Sequence, residues 1–305
     1  REGIYFSNID FSAGHRVLRF IDEQPGAAKS LPGYARMKTI FSGNRLYRPA
    51  AAEGSFEDVT EKTGTGWAGE APAGAVWFDY NNDGLTDLYV PNGLWSADPS
   101  RDFTDEFIEH QLKGEDPIKP EVVNAVMKSL QENGASFAGY QRNRLFRNNG
   151  GGSFTEVGYV TGSDRIEDGY VAAIADMDGD GTVDLVLRNA DPPSLAWSYA
   201  PVTVLKNRSL AKNKMLAVHL KGVDGGSSAF GAQVTVEVAG RKQMQEIRSV
   251  KGCVQDEQAA FFGVGEAKTI DTLEVVWPSG VKDRFKDVKP GRILVREGQN
   301  RLTSK

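Results

Sequence analysis

A single cysteine, Cys253, stands in 305 residues, so the chain can form no intrachain disulfide. That excludes a small disulfide-stapled scaffold and leaves any fastening of loops to other chemistry. Histidine is almost as scarce. The three present, His15, His110 and His219, show no His-Glu-x-x-His spacing of a metal hydrolase. Positive charge is not in excess either. Lys and Arg number 36 against 41 Asp and Glu, a net charge of −5, which gives nucleic acid or an anionic membrane no electrostatic hold. No apolar run approaches the roughly 20 residues of a membrane-spanning helix. Gly-x-Ser-x-Gly, Gly-x-x-x-x-Gly-Lys and a helix-opening Gly-x-Gly-x-x-Gly are all missing. A catalytic carboxylate pair needs no local motif, so an enzyme is disfavoured rather than excluded.

What the chain does have is two nine-residue loops in one register. The first runs Asp79-Tyr80-Asn81-Asn82-Asp83-Gly84-Leu85-Thr86-Asp87, the second Asp176-Met177-Asp178-Gly179-Asp180-Gly181-Thr182-Val183-Asp184. Oxygen-bearing side chains fall at positions 1, 3, 5 and 9, with Gly at position 6 for a sharp turn. Asp79, Asn81, Asp83 and Asp87, with the Leu85 carbonyl at position 7, form one candidate ligand set. Asp176, Asp178, Asp180 and Asp184, with the Thr182 carbonyl, form the other. So many carboxylates at such spacing call for a hard cation, and Ca2+ leads. Ordinary polar turns share this composition, but two copies in matching flanks weigh against that reading. Charge count alone ranks the second loop, with four carboxylates, above the first, with three. An EF-hand is excluded, because its bidentate Glu at position 12 is replaced by Val90 and Leu187.

Short apolar runs flank both loops: Gly74–Phe78 and Leu88–Asn92 around the first, Val171–Ala175 and Leu185–Asn189 around the second. These read as strands, so each loop joins an antiparallel pair. A second hairpin recurs as Asn44-Arg45-Leu46-Tyr47-Arg48 leading to Ser55-Phe56, and as Asn143-Arg144-Leu145-Phe146-Arg147 leading to Ser153-Phe154. Alternation of the two hairpins gives a four-stranded repeat, as in propeller blades.

On these residues the chain resembles FG-GAP/VCBS repeat proteins. Farther on, Gly231–Val236, Arg248-Ser249, Phe262-Gly263-Val264-Gly265 and Leu273–Gly280 are similar to the ASPIC/UnbV domain that follows such repeats in the cartilage acidic protein family. The resemblance implies an all-β chain: a partial FG-GAP β-propeller with blades of four antiparallel strands and a helical insertion, then a small β-sandwich or barrel. It also implies Ca2+ in the loops and export, to the extracellular space, the periplasm or a cell surface. Expected domains are 1–210, with the insertion at about 98–139, and 211–305. One full blade (about 74–157), a last one (about 171–208) and a start partway through a blade are too few to close a propeller. The expectation is therefore part of a longer protein, or a chain completed by a partner.

Phe103, Phe107, Ile108 and Leu112, with Asp102 as N-cap, and Val122, Val123, Val126, Met127 and Leu130, ended by Gly134, predict a helical hairpin in the insertion. The stretch from Phe11 to Ser42 has no clear period. In the later domain, strands are expected at Leu216–Lys221, Gln233–Val238, Gln243–Ser249, Leu273–Trp277 and Ile293–Glu297, with Trp277 as a core anchor and His219 on a strand face. Arg241, Arg248 and Lys251 are candidates for a basic spot. The functional expectation is a non-catalytic, Ca2+-binding extracellular module for a protein or glycan partner. The alternatives are a structural subunit that associates with copies of itself or with the remaining blades, and a propeller-based hydrolase or lyase.

Overall fold

The computed structural model describes residues 3–7, 38, 43–67, 70–102, 121, 124, 128, 132, 134–189, 202–209, 212–223, 226–250 and 254–304. The chain forms two compact units. One comprises Arg1–Val76, Leu88–Ala172 and Leu187–Thr203; the other comprises Trp77–Asp87, Ala173–Val186 and Val204–Lys305. The sequence boundary expected near residue 210 groups both Asp-rich loops with the repeats. The compact units group them with the segment that follows.

The repeat region is built from small up-and-down sheets. Strands β1 (Ile4–Phe6), β2 (Arg45–Pro49) and β3 (Phe56–Asp58) pair antiparallel in that order. A four-stranded sheet follows, made of β4 (Val76–Phe78), β5 (Asp87–Val90), β8 (Arg144–Asn148) and β9 (Phe154–Glu156) in that order. This is the full blade expected from the sequence. Its central strand shows why: Leu88, Tyr89 and Val90 are all fully buried, which a strand needs when both faces are covered. The Tyr89 hydroxyl satisfies its polar tip by donating to the Ser163 carbonyl at 3.0 Å. A third sheet orders β10 (Gly169–Ala175), β11 (Asp184–Asn189) and β12 (Val202–Leu205).

The repeat extends beyond strands. After β3 and after β9 the chain makes one helical turn, Thr60–Thr63 and Gly158–Thr161, closed by a left-handed glycine, Gly64 (φ 74) and Gly162 (φ 70). In each the last acid of the preceding strand accepts from the first amide of the turn, Asp58 from Thr60 at 3.0 Å and Glu156 from Gly158 at 2.7 Å.

The insertion is framed by strands, β6 (Asp98–Asp102) and β7 (Ala135–Ser136), which pair in parallel. Strand structure thus continues past Asp98, where the sequence pattern predicts that it stops. Asp98-Pro99-Ser100-Arg101-Asp102 has no apolar alternation to announce it, and its pairing comes from a partner distant in sequence. Glu121, Asn124, Lys128 and Glu132 are helical and exposed, and Gly134 (φ 62) follows, as expected for the second inserted helix. Lys128 and Glu132 form an i,i+4 pair at 3.8 Å. The apolar stripe of that helix, the first inserted helix and the stretch from Phe11 to Ser42 apart from Lys38 lie outside the described residues, as do Lys251 and Cys253.

The later segment is a β-sandwich. One sheet orders β16 (Ala259–Gly265), β13 (Lys214–Lys221), β19 (Gly291–Arg296) and β20 (Leu302–Ser304). The other orders β15 (Arg241–Glu246), β14 (Gln233–Val238), β17 (Ile270–Val276) and β18 (Lys282–Val288). Their inner faces share one core containing Leu216, Val218, Val234, Val236, Phe262, Leu273, Val275 and Trp277. Trp277 is the anchor the sequence predicts, 2% exposed, with its Nε1–H donated to Asp283 at 2.7 Å. The first sheet is buried on its other face as well. Met215, Ala217 and His219 alternate with the core residues along β13 and are also buried, which marks a strand with both sides occupied.

Candidate metal centre

Both loops are hairpin turns, β4 to β5 and β10 to β11, and their backbones match point for point. Position 4 is left-handed in each (Asn82 φ 57, Gly179 φ 73), as is position 6 (Gly84 φ 81, Gly181 φ 87). The residue at position 9 accepts from the amide at position 2: Tyr80 to Asp87 at 3.1 Å, Met177 to Asp184 at 3.0 Å. The residue at position 1 accepts from position 6: Gly84 to Asp79 at 2.7 Å, Gly181 to Asp176 at 3.3 Å. Position 5 accepts from position 7: Leu85 to Asp83 at 2.8 Å, Thr182 to Asp180 at 2.9 Å. Turn hydrogen bonds thus orient the acidic side chains of both loops in the same pattern, while Asn81 donates to Asp83 at 3.0 Å and accepts from its amide at 3.2 Å.

The second loop goes further. Asp176, Asp178 and Asp184 each bring a carboxylate oxygen within 4.8 Å of the others, and no other such group occurs among the described residues. The Asp176 side chain is wholly buried, yet its Oδ1 has no hydrogen-bond partner. A buried carboxylate oxygen without a donor is costly unless a cation completes it. An all-oxygen donor set without sulfur or imidazole suits Ca2+ rather than a transition metal. Asp180 is not in this group; its Oδ1 accepts from both the amide and the hydroxyl of Thr182, the latter at 2.7 Å.

In the first loop, burial pushes the Asp79 carboxyl up to about 7; hydrogen bonds from the Gly84, Asp83 and Asn82 amides oppose the shift and the neighbouring Asp83 charge adds to it. Burial of a carboxylate this strongly opposed to ionisation is an environment that a divalent cation would relieve.

Residues far away in sequence complete both loops, and sequence reading missed them. Gly263 on β16 lies flush against the first loop, where a Cβ would stand 1.9 Å from Asp79 Oδ2 and 2.6 Å from the Asn82 backbone. The Gly265 amide donates to the Asn82 carbonyl at 2.8 Å, and Arg241 donates to the Asp83 carbonyl at 2.8 Å. Arg241 therefore serves the loop, while Arg248 pairs with Glu246 at 3.8 Å, so the expected basic spot does not form from these two. Asn82 donates to the Gly181 carbonyl at 2.8 Å, and Asn207 donates to the carbonyls of Tyr80 at 2.6 Å and Val183 at 3.1 Å. The two loops are thereby stitched directly to each other.

Cations reach the second loop from outside. Arg292 on β19 donates to Asp176 Oδ2 at 2.6 Å and also pairs with Glu257, with His219 Nε2 3.2 Å away. Lys206, just past β12, pairs with Asp178; that hydrogen bond is the main cause holding the Asp178 carboxyl below the usual range and the Lys206 ammonium above its own. No local motif signals Arg292 or Lys206.

Residues 135–187 match the FG-GAP-like repeat family and residues 222–301 match the family described as ASPIC and UnbV. Cartilage acidic protein 1 of Xenopus tropicalis is 28% identical over 251 residues, 75% of this chain and 37% of that protein. The human protein of the same name is 25% identical over 306 residues, 89% of this chain and 44% of that protein. The chain spans less than half the length of these relatives. The chain thus joins a segment similar to FG-GAP-like repeats to a later one similar to the ASPIC and UnbV domain, and it is similar to cartilage acidic protein 1.

Proposed function

We propose that the chain is an extracellular, non-catalytic binding module whose two Asp-rich loops hold Ca2+ and whose surfaces engage a protein or glycan. Two observations carry this reading: the carboxylates of Asp176, Asp178 and Asp184 converge, and Asp176 has a buried oxygen with no donor. The similarity to cartilage acidic protein 1 supports a setting outside the cell, where Ca2+ is plentiful. Bound Ca2+ would be held by Asp176, Asp178 and Asp184 in one loop and by Asp79, Asn81, Asp83 and Asp87 in the other, and would neutralise their repulsion. Asp180 and the carbonyls of Leu85 and Thr182 complete the proposed sets.

Thermal unfolding in Ca2+ and in EDTA tests the reading, with Asp178→Ala and Asp83→Ala alongside. Both sites sit partly at the surface, so neither change by itself empties a core. A Tm that rises by several degrees in Ca2+, less so in each variant, is expected. Equal Tm values in Ca2+ and EDTA would refute the metal role.

A second reading, self-association or pairing with further blades, draws on one feature. Strand β12 lies at the end of its sheet among the described residues and exposes Val202 and Val204, each 49%. Sedimentation velocity across a hundredfold concentration range separates the two readings.

A further inference from the structure

Charge alone ranks the second loop as the stronger cation site, but the loop does not face its surroundings alone. Its four carboxylates are met by Lys206 on Asp178 and by Arg292 on Asp176, the latter shared with Glu257. The two cations differ in kind. The Arg292 guanidinium is largely buried, forked between Asp176 and Glu257, and it bonds Asp176 through Oδ2 while Oδ1 stays without a partner. It fixes the ligand without taking the ligand's remaining oxygen. Lys206 is different. Its side chain is 46% exposed, it sits on a flexible four-carbon stem, and it bonds a member of the convergent carboxylate group, Asp178. An exposed ammonium of this kind can swing into water at little cost.

We propose that Lys206 is an internal, displaceable counter-ion of the second loop, which neutralises Asp178 when no metal is bound and leaves that carboxylate when a divalent cation enters. The proposal rests on the metal reading above and adds a regulation of the same site. Lys206 lowers the loop's Ca2+ affinity and, in exchange, keeps the metal-free loop folded. It adjoins Asn207, whose amide N–H donates to Asp184 at 2.7 Å and whose side chain reaches Tyr80 in the first loop. Exchange of lysine for metal therefore occurs beside the residue that ties the loops together.

The counter-ion role predicts effects of opposite sign, which a packing role would not give. Lys206→Met keeps the apolar stem and deletes the charge. Calorimetric titration of the whole chain with Ca2+ at low ionic strength should show one of two sites tightened about three- to tenfold in Lys206→Met, the size of removing one like charge a few ångströms from a bound dication. In EDTA the same variant should unfold at a lower temperature than the unchanged chain. Lys206→Arg should behave as the unchanged chain in both assays. Unaltered or weakened Ca2+ binding in Lys206→Met overturns the counter-ion role while leaving the metal reading intact. An unchanged chain that binds no Ca2+ at all overturns the metal reading, and the counter-ion role with it.

Discussion

The Arg292 guanidinium donates to Asp176 Oδ2 at 2.6 Å, across 116 positions of sequence. Asp176 is the first residue of the second loop, and Arg292 lies on a central strand of the sandwich. The same guanidinium pairs with Glu257, whose other carboxylate oxygen accepts the Asp176 amide at 3.0 Å, and the Glu257 amide donates to the Ile174 carbonyl at 3.0 Å. One side chain thus fixes both the loop's first ligand and the segment that borders it.

Removal of that guanidinium leaves a fully buried carboxylate uncompensated. Arg292→Leu is expected to cost about 3 kcal/mol, the lower end for breaking a buried ion pair, because Arg292 retains some exposure. Arg292→Lys should recover less than half, since one ammonium cannot reproduce the fork. Urea denaturation in EDTA, where no cation compensates Asp176, measures both; a cost below about 1 kcal/mol for Leu would show that the pair contributes little in solution.

The close approach at Gly263 predicts selective damage to the first loop. Gly263→Ala places a methyl where Asp79 Oδ2 and the Asn82 backbone now lie, so the loop must shift. Overpacking of this kind costs on the order of 1–3 kcal/mol. Calorimetry should show one Ca2+ site weakened and the other kept. Loss of both sites together, or of neither, would contradict this assignment.

Asp168 gives a pH signature. It is 1% exposed and accepts from the Ser96 hydroxyl at 2.8 Å and from its amide, and burial, the largest cause, lifts its carboxyl to about 6. The folded state therefore binds this proton more tightly than the unfolded chain does. The resulting stability is fully present below about pH 4 and is lost as pH rises through 6, roughly 3 kcal/mol in all. Asp168→Asn carries no such titration. The stability difference between the unchanged chain and the variant should shift by that amount between pH 4 and pH 7, in favour of the variant at the higher pH. A constant difference would contradict the shift.

Asp283 is expected to matter more than the tryptophan bond it accepts. Wholly buried, it takes the Trp277 Nε1–H at 2.7 Å, the Gly298 amide at 2.9 Å and the Asn300 amide at 3.3 Å. Asp283→Ala strands the buried Trp277 N–H, while the amides of exposed Gly298 and Asn300 can turn to water, and should cost about 1–3 kcal/mol. Trp277→Phe, which keeps an aromatic ring in the core, should cost less. The reverse order in chemical denaturation would assign the stability to ring packing instead.

The legible part of this protein is the local part. The nine-residue loops could be read because their ligands, glycines and turn bonds lie within one hairpin. Strand β14 was read end to end as Gln233–Val238, because buried Val234, Val236 and Val238 alternate with half-exposed neighbours. Strand β18 is not legible, since Lys282-Asp283-Arg284-Phe285-Lys286-Asp287 shows mostly charge and the strand's buried members are an aspartate and its last residue, Val288. Strand β16 hid in Ala259-Ala260-Phe261-Phe262-Gly263, whose run of apolar residues reflects burial on both faces rather than alternation. Arg292, Lys206 and Glu257 could not be read at all, because the contacts that give them meaning span tens of residues or more.

The sandwich sheet with two occupied faces bears on how such proteins can be recombined. A chimaera cut at residue 211 would part Gly263 and Arg292 from Asp79 and Asp176, on a sheet whose Met215, Ala217 and Phe261 are buried in the whole chain. Such a graft would be sticky and short one set of counter-charges. The piece that travels intact is assembled from three separate stretches, Trp77–Asp87, Ala173–Val186 and Val204–Lys305, and no single splice can move it.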